Sequence, residues 1–322
     1  MKVFITESIP GGAVQLLEQA GFEVSVSNKE GPLTKEELKS ELSRVSYDAV
    51  LSLLTNKIDK EVFEISPSVK IYANYAVGFD NLDIEEAQKR GVMITNTPTP
   101  LVNEAVAEHT LALLFSLIAH IPQADRFVRD GKFKAWNPNL FIHPEIEGKT
   151  IGIVGAGRIG STVGRVLNHG FHCNILYYDI KRNEQIEADC QARFCENLTE
   201  LLKQSDVVTL HVPLNQKTHH LIDKESFGLM KKGSYLINTA RGGVVDEEAL
   251  YDALSENLIT GAALDVFEHE PEPFSKLISL SNMIFSPHIG SATVRVREEM
   301  TRMATQNIIS FLKEGKAITP VF

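Results

Sequence analysis

Cysteine is nearly absent, with Cys173, Cys190 and Cys195 the only ones among 322 residues. An odd count with no CxxC pair excludes a disulfide framework, offers no structural zinc pattern, and fits a reducing, cytoplasmic setting. Positive charge is also short: 32 Lys and Arg face 42 Asp and Glu, a net charge of −10. Such an acidic surface argues against nucleic acid or an anionic membrane as the main partner and favours a small molecule. The N-terminal stretch MKVFITESIPGG lacks the apolar core and cleavage site of a signal peptide. The longest apolar run without a charge, residues 110–124, is shorter than the roughly 20 residues that span a bilayer. Pro122 interrupts it, and the run reads as a buried helix. The apolar segment 104–121 is too apolar all round to face water, which places it in a core or at a subunit contact.

What is present is ordinary globular material, 43% hydrophobic and 23% charged, which excludes a disordered or collagen-like chain. Short β-branched runs alternate with amphipathic stretches from the start: KVFIT, AVQLLEQAG, FEVSV, KEELKSELSRV, DAVLSLL, VKIYANYAV. This alternation predicts a parallel sheet covered by helices. The rhythm pauses over residues 96–150, where an apolar helix and a polar segment with Trp136 look like a connection between two units. A second series begins at Lys149 with strands TIGIV, ILYYD, DVVTLHVP, SYLIN and AALDVF, and a last helix runs from about Ser291 to Lys313.

The strongest local pattern is Gly155-Ala-Gly157-Arg158-Ile159-Gly160, directly after the strand TIGIV and opening a helix. Asp179 ends the next strand 19 residues beyond Gly160. Gly155 permits the tight turn, Gly157 lets a pyrophosphate approach the backbone, Gly160 lets helix and strand pack, and Asp179 accepts from an adenosine ribose. The Asp179 carboxylate would repel a 2′-phosphate, so NAD is expected over NADP, although Lys181 and Arg182 could offset part of that repulsion.

Three further features follow strands of the second series, where an open α/β sheet gathers its ligand groups. They are Arg241 after SYLIN, Asp265 within AALDVF and Glu270 just beyond it, and His288 in SPHIGS. Arg241 can grip a keto-acid carboxylate with its guanidinium fork, and His288 can give a proton to a carbonyl oxygen as hydride arrives. Glu270 beside the imidazole would favour its protonated form. Sequence distance alone does not show that they converge. His219 and His220 read as part of a surface or cofactor-edge loop, and the cysteines as buried or incidental.

The wording of NYAVGFDNLDIEEAQKRGV, NTPTPLVNEAVAEHTLALL, GAGRIG, LHVPLNQKTHHLID, INTARGGVVDEEAL, GAALDVFEHEP and SPHIGSAT resembles the D-2-hydroxyacid dehydrogenase family over nearly the whole chain. The resemblance implies a Rossmann-type NAD domain, residues 101–290, inserted in a split flavodoxin-like substrate domain, residues 1–100 and 291–322. It also implies a homodimer through an arm near residues 101–148. Carried over by position, it makes Arg241 the substrate arginine, Glu270 the histidine partner and His288 the acid/base. Val77 and Gly78 match the loop whose amides hold the substrate carboxylate. Asp265, Thr239 and Ala240 match positions around the nicotinamide, and Pro213 and Thr218 belong to the cofactor loop of LHVPLNQKTHHLID. Within the family, AVLSLLTNKIDKEVF is similar to glyoxylate/hydroxypyruvate reductases, and Leu53 stands where phosphoglycerate dehydrogenases tend to place an arginine for phosphate. The expectation is an NADH-dependent reductase of a small 2-keto acid. Two alternatives stay open, a phosphoglycerate dehydrogenase-like enzyme and a non-catalytic NAD(H)-sensing protein of corepressor type.

Overall fold

Runs of Val, Ile, Leu and Ala too apolar to face water on either side can be strands only if helices cover both faces of their sheet. A computed structural model describing residues 1–322 shows two such sheets. Chain contacts divide it into a first unit, residues 1–102 with 292–322, and a second, residues 103–291.

In the first unit, strands β1 (Lys2–Ile5), β2 (Glu23–Val26), β3 (Ala49–Leu53), β4 (Ile71–Tyr75) and β5 (Met93–Thr95) stand in the order β2-β1-β3-β4-β5, every pair parallel. This is the flavodoxin-like order of a doubly wound sheet. Phe4, Leu38, Val50, Phe63, Tyr72 and Ile94 fill its core on one side. The terminal helix Val294–Glu314 packs against β4, and Asn307, fully buried on that helix, ties down the tail behind it. Its side-chain oxygen accepts from the amides of Ile318 and Thr319, both at 2.9 Å, while its nitrogen donates to Met303 O and Thr319 Oγ1.

The second unit holds β6 (Thr150–Val154), β7 (Asn174–Tyr178), β8 (Arg193–Phe194), β9 (Val207–Leu210), β10 (Tyr235–Asn238), β11 (Gly261–Leu264) and β12 (Met283–Phe285). Their order is β12-β11-β10-β9-β6-β7-β8, again wholly parallel. The first strand of the series, β6, lies between β7 and β9, so the winding reverses there. The carboxyl ends of those strands are where an open α/β sheet binds its ligand. Both sheets are doubly wound, as the alternation in the sequence predicts.

The chain departs from the sequence reading in places. The run 110–124 is not one helix. A helix spans Pro100–Ile118, His120 adopts a left-handed φ of 55°, and a second helix, Ile121–Arg129, starts with Pro122 in its first turn. Proline is tolerated there because first-turn amides have no partner within the helix. Starting at Pro100 makes the first of these helices long and apolar enough to cross a membrane by length and composition alone. Its Ala107, Leu113, Leu114, Leu117 and Ile118 are instead buried in the second unit with Ile151, Ile153 and Val163. The helix Ile121–Arg129 buries none of its side chains, so the expectation of a buried segment fails beyond residue 118. All three cysteines are free and buried, and burial pushes the Cys173 and Cys195 thiols up to about 11.

Replacing Asn307 by Ala should leave the Ile318 and Thr319 amides without an acceptor. A loss of about 1–3 kcal/mol is expected, the net worth of two hydrogen bonds at about 0.5–1.5 kcal/mol each. It should be read as a lower urea midpoint for unfolding of the first unit.

Candidate functional site

Each glycine of the Gly155–Gly160 turn stands where a side chain would be strained or obstructive, or where the face beside it is open. Gly155 has φ +95, and a Cβ there would meet His211 O at 2.7 Å. A Cβ on Gly160 would lie 2.2 Å from Gly155 O, closer than any real contact. On Gly157 it would meet nothing within 4 Å, so that face of the turn is open. Gly157 caps the helix Arg158–Phe171 without a side-chain bond. Arg158 and Ile159 therefore open a helix whose first-turn amides face outward, the arrangement that receives a phosphate. The donor set and the room beside it fit a dinucleotide.

Asp179, just after β7, accepts from the Ala156 amide at 2.8 Å, which fixes its carboxylate beside the turn. Ile180 follows it, 90% exposed. Arg182, read from the sequence as a possible counter-charge, is engaged elsewhere: Nε and one terminal nitrogen reach the two oxygens of Glu187 at 2.7 and 3.0 Å. Pro213 and Thr218 close one loop together, with Thr218 Oγ1 donating to Pro213 O at 2.6 Å.

The loops after β10, β11 and β12 form one connected construction. Asn238 ends β10, and its side chain accepts from the Ala240 amide and donates to Arg241 O, which shapes the turn carrying Thr239, Ala240 and Arg241. Thr239 Oγ1 shares a hydrogen bond of 2.8 Å with Thr110 Oγ1. A Cβ on Gly242 would lie 1.8 Å from Phe267 C, so only glycine lets the arginine turn pass against the loop after β11. That loop presents Glu270. Both its carboxylate oxygens lie within 3.0 Å of His288 Nδ1, so that nitrogen carries the shared hydrogen and Nε2 is left as the ring's other proton site. The structure thus joins Glu270 and His288 directly and links the Arg241 turn to their loop through Gly242.

His288 has φ 54, a left-handed conformation that costs an ordinary residue about 1–2 kcal/mol. Asp265 opposes that cost. Its carboxylate accepts from Ser286 Oγ at 2.6 Å, the Ile289 amide at 2.9 Å and the Gly290 amide at 2.8 Å, with His109 Nε2 at 3.2 Å. The His288 amide donates to Asp265 O at 2.8 Å. Burial alone would raise the Asp265 carboxyl, but the bonds from His109, Ser286 and the two amides outweigh it and hold it below the usual carboxylate range. Hydrogen bonds to a charged group contribute about 1.5–3 kcal/mol each, so together they exceed the strain at His288.

Sequence reasoning missed Glu247, a 5% exposed carboxylate at the start of the helix Glu247–Ser255. It accepts from the Glu268 amide with one oxygen and the Phe274 amide with the other, both at 2.8 Å, and so ties both ends of the loop that holds Glu270. The only hint in the sequence is an acidic residue in a helix's first turn, where such residues are commonplace. In the first unit, Asn81 donates to Leu53 O and Asn56 O, while Asn74 donates to Gly78 O and Asn96 to Val77 O. Asparagine side chains thus hold the carbonyls of all three first-unit positions singled out in the sequence.

His211 follows β9 beside the Gly155 turn. Its Nε2 pairs with Thr209 Oγ1 at 2.9 Å, Nδ1 is buried without a partner, and burial drives the imidazole from 6.5 down to about 3. The unfolded chain therefore takes up a proton below about 6.5 that the folded chain refuses until about 3. Stability of the second unit should fall as pH drops through that window, and His211→Phe should flatten the decline. Urea midpoints at about pH 7 and about pH 5 check it.

Comparison with known proteins places this geometry. The profile of the D-isomer specific 2-hydroxyacid dehydrogenase, NAD binding domain, matches residues 111–290. A glyoxylate reductase of Pyrococcus horikoshii is 47% identical over 319 residues, 98% of this chain and 93% of the relative. Among solved structures, the TT0316 protein of Thermus thermophilus superposes with a TM-score of 0.92 at 37% identity, covering all of both chains. The NADPH-dependent glyoxylate/hydroxypyruvate reductase of Sinorhizobium meliloti gives a TM-score of 0.85 at 28% identity, over 99% of this chain and 97% of the other. The chain belongs to the D-isomer specific 2-hydroxyacid dehydrogenase family and is an NAD-binding oxidoreductase of 2-hydroxy acids.

Proposed function

We propose that the protein reduces a small 2-keto acid, glyoxylate or hydroxypyruvate, to the D-2-hydroxy acid with NADH, His288 serving as the acid/base. The observation that carries this reading is the His288–Glu270 pair on a turn braced by Asp265. The name of the Pyrococcus horikoshii relative supports the substrate.

The cofactor would lie on Gly155, Gly157, Arg158, Ile159 and Gly160 with its ribose at Asp179, and Pro213, Thr218, Thr239, Ala240 and Asp265 would border it. Bound NADH supplies the hydride. Glu270 orients the imidazole through Nδ1, and His288 Nε2 gives its proton to the substrate oxygen as the carbonyl carbon is reduced; solvent then restores the proton. Arg241 binds the substrate carboxylate with its planar fork and polarises the adjacent carbonyl. The amides of Val77 and Gly78 would also serve the carboxylate, and the apolar Leu53 offers nothing to a phosphate. Engagement of Arg182 with Glu187 takes one of the two candidate counter-charges away from the Asp179 carboxylate, which supports NAD over NADP.

We further propose a homodimer in the cytoplasm, built on the arm where Ile121, Val128, Phe133, Trp136 and Ile142 all stand exposed, Trp136 by 81%. Large apolar side chains exposed repeatedly along one segment are what a subunit contact would cover. Sedimentation of Trp136→Glu should show a shift toward monomer, and an unchanged mass would refute that role for the arm.

The reading is tested by initial rates with NADH and NADPH on glyoxylate, hydroxypyruvate, pyruvate and 3-phosphohydroxypyruvate. Fast NADH-linked turnover of the first two is expected. Preference for the phosphorylated acid, or tight NADH binding without turnover, would overturn it. His288→Gln should lower kcat by about 10²–10⁴-fold with NADH binding retained. Arg241→Lys should chiefly raise KM, since a point charge does not reproduce the fork.

A further inference from the structure

Metal-binding sequence patterns use cysteine pairs or histidines a few residues apart, and adjacent histidines match neither. In the structure the His219 and His220 rings stack, with centroids 4.0 Å apart and planes at 27°. Both present a ring nitrogen to the same carboxylate oxygen. Glu268 Oε1 lies 2.6 Å from His220 Nε2 and 3.8 Å from His219 Nε2, and the three donor atoms fall within 4.8 Å of one another. Neighbouring side chains on an extended chain point to opposite sides. Here His220 is left-handed at φ 49, with the His219 amide bonded to Asn215 O and the His220 amide to Gly243 O, and both rings face one way.

We infer that His219, His220 and Glu268 form a binding site for a divalent transition-metal ion of the Zn²⁺ type. Two imidazoles and one carboxylate are a three-ligand set that such an ion accepts, with water as the fourth ligand. Mg²⁺ and Ca²⁺ prefer a shell of oxygens and find a single protein carboxylate here. Bonds of about 2.0–2.1 Å in a tetrahedron separate neighbouring donors by roughly 3.3 Å. The contact at 2.6 Å must open and the one at 3.8 Å must close, each by well under 1 Å, and the two ring nitrogens, within 4.8 Å of each other, must draw to the same spacing, movements that side-chain torsions can supply. A simple His220–Glu268 hydrogen bond gives no reason for a second imidazole to approach the same oxygen. Solvent reaches the site along His219, whose side chain is 54% exposed. The backbone beneath is fixed, because the Glu268 amide is held by Glu247 at 2.8 Å. This site goes beyond the proposed reduction and uses none of Arg241, Glu270 or His288.

The test uses chelator-treated full-length protein. Zn²⁺ binding is followed by calorimetry, and Co²⁺ by its visible absorption as a report on coordination. One ion per chain is expected. His219→Asn, which alters an exposed ring and leaves the fold intact, should weaken binding by about ten- to hundred-fold or more, and Glu268→Gln should do the same. His288→Asn should bind as the wild type does. Absence of uptake at millimolar ion, or equal affinity in wild type and His219→Asn, would overturn the site. Loss of binding in His288→Asn alone would place the ion at the His288–Glu270 pair and likewise overturn it.

Discussion

The carboxylate of Asp265 holds the turn on which His288 stands. A histidine with left-handed backbone would relax toward an ordinary conformation if nothing opposed it. Two backbone amides, a serine hydroxyl and the His109 ring converge on Asp265, and its own carbonyl receives the His288 amide. The strained residue is therefore held at both flanks. With its backbone fixed, one contact to Glu270 is enough to orient the ring.

The sheet explains why these groups meet. Strands β10, β11 and β12 are consecutive in sequence and adjacent in space, so the loops that follow them emerge side by side. Arg241, the Asp265–Glu270 stretch and His288 each follow one of them. In a parallel sheet every strand ends at the same edge, so groups far apart in the chain reach the same rim without long excursions. Gly242 refines the arrangement by letting two loops touch where any side chain would separate them.

Much of this is legible in the sequence because it is local. A strand, three glycines, a helix and an acid spell out the glycine turn within one βαβ unit. The double winding follows from alternating apolar and amphipathic runs. The residues that hold the site in shape are not legible, since Asp265 braces a turn more than twenty residues away and Glu247 does the same for its loop. Neither leaves a periodic trace. Strands such as Arg193–Phe194 and Met283–Phe285 are too short to show alternation, and the break at His120 has no glycine to announce it. His219 and His220 read as an ordinary loop because adjacency in sequence says nothing of rings turned to the same side.

The three buried thiols carry a practical consequence. A thiol reacts as its thiolate, and burial keeps those of Cys173 and Cys195 protonated at neutral pH. All three lie around β7 and β8, at one margin of the second sheet, so a thiol reagent can reach them only after that margin separates from the sheet. The native chain thus carries its own unfolding sensor. The pace of labelling in a folded sample measures how often this edge opens.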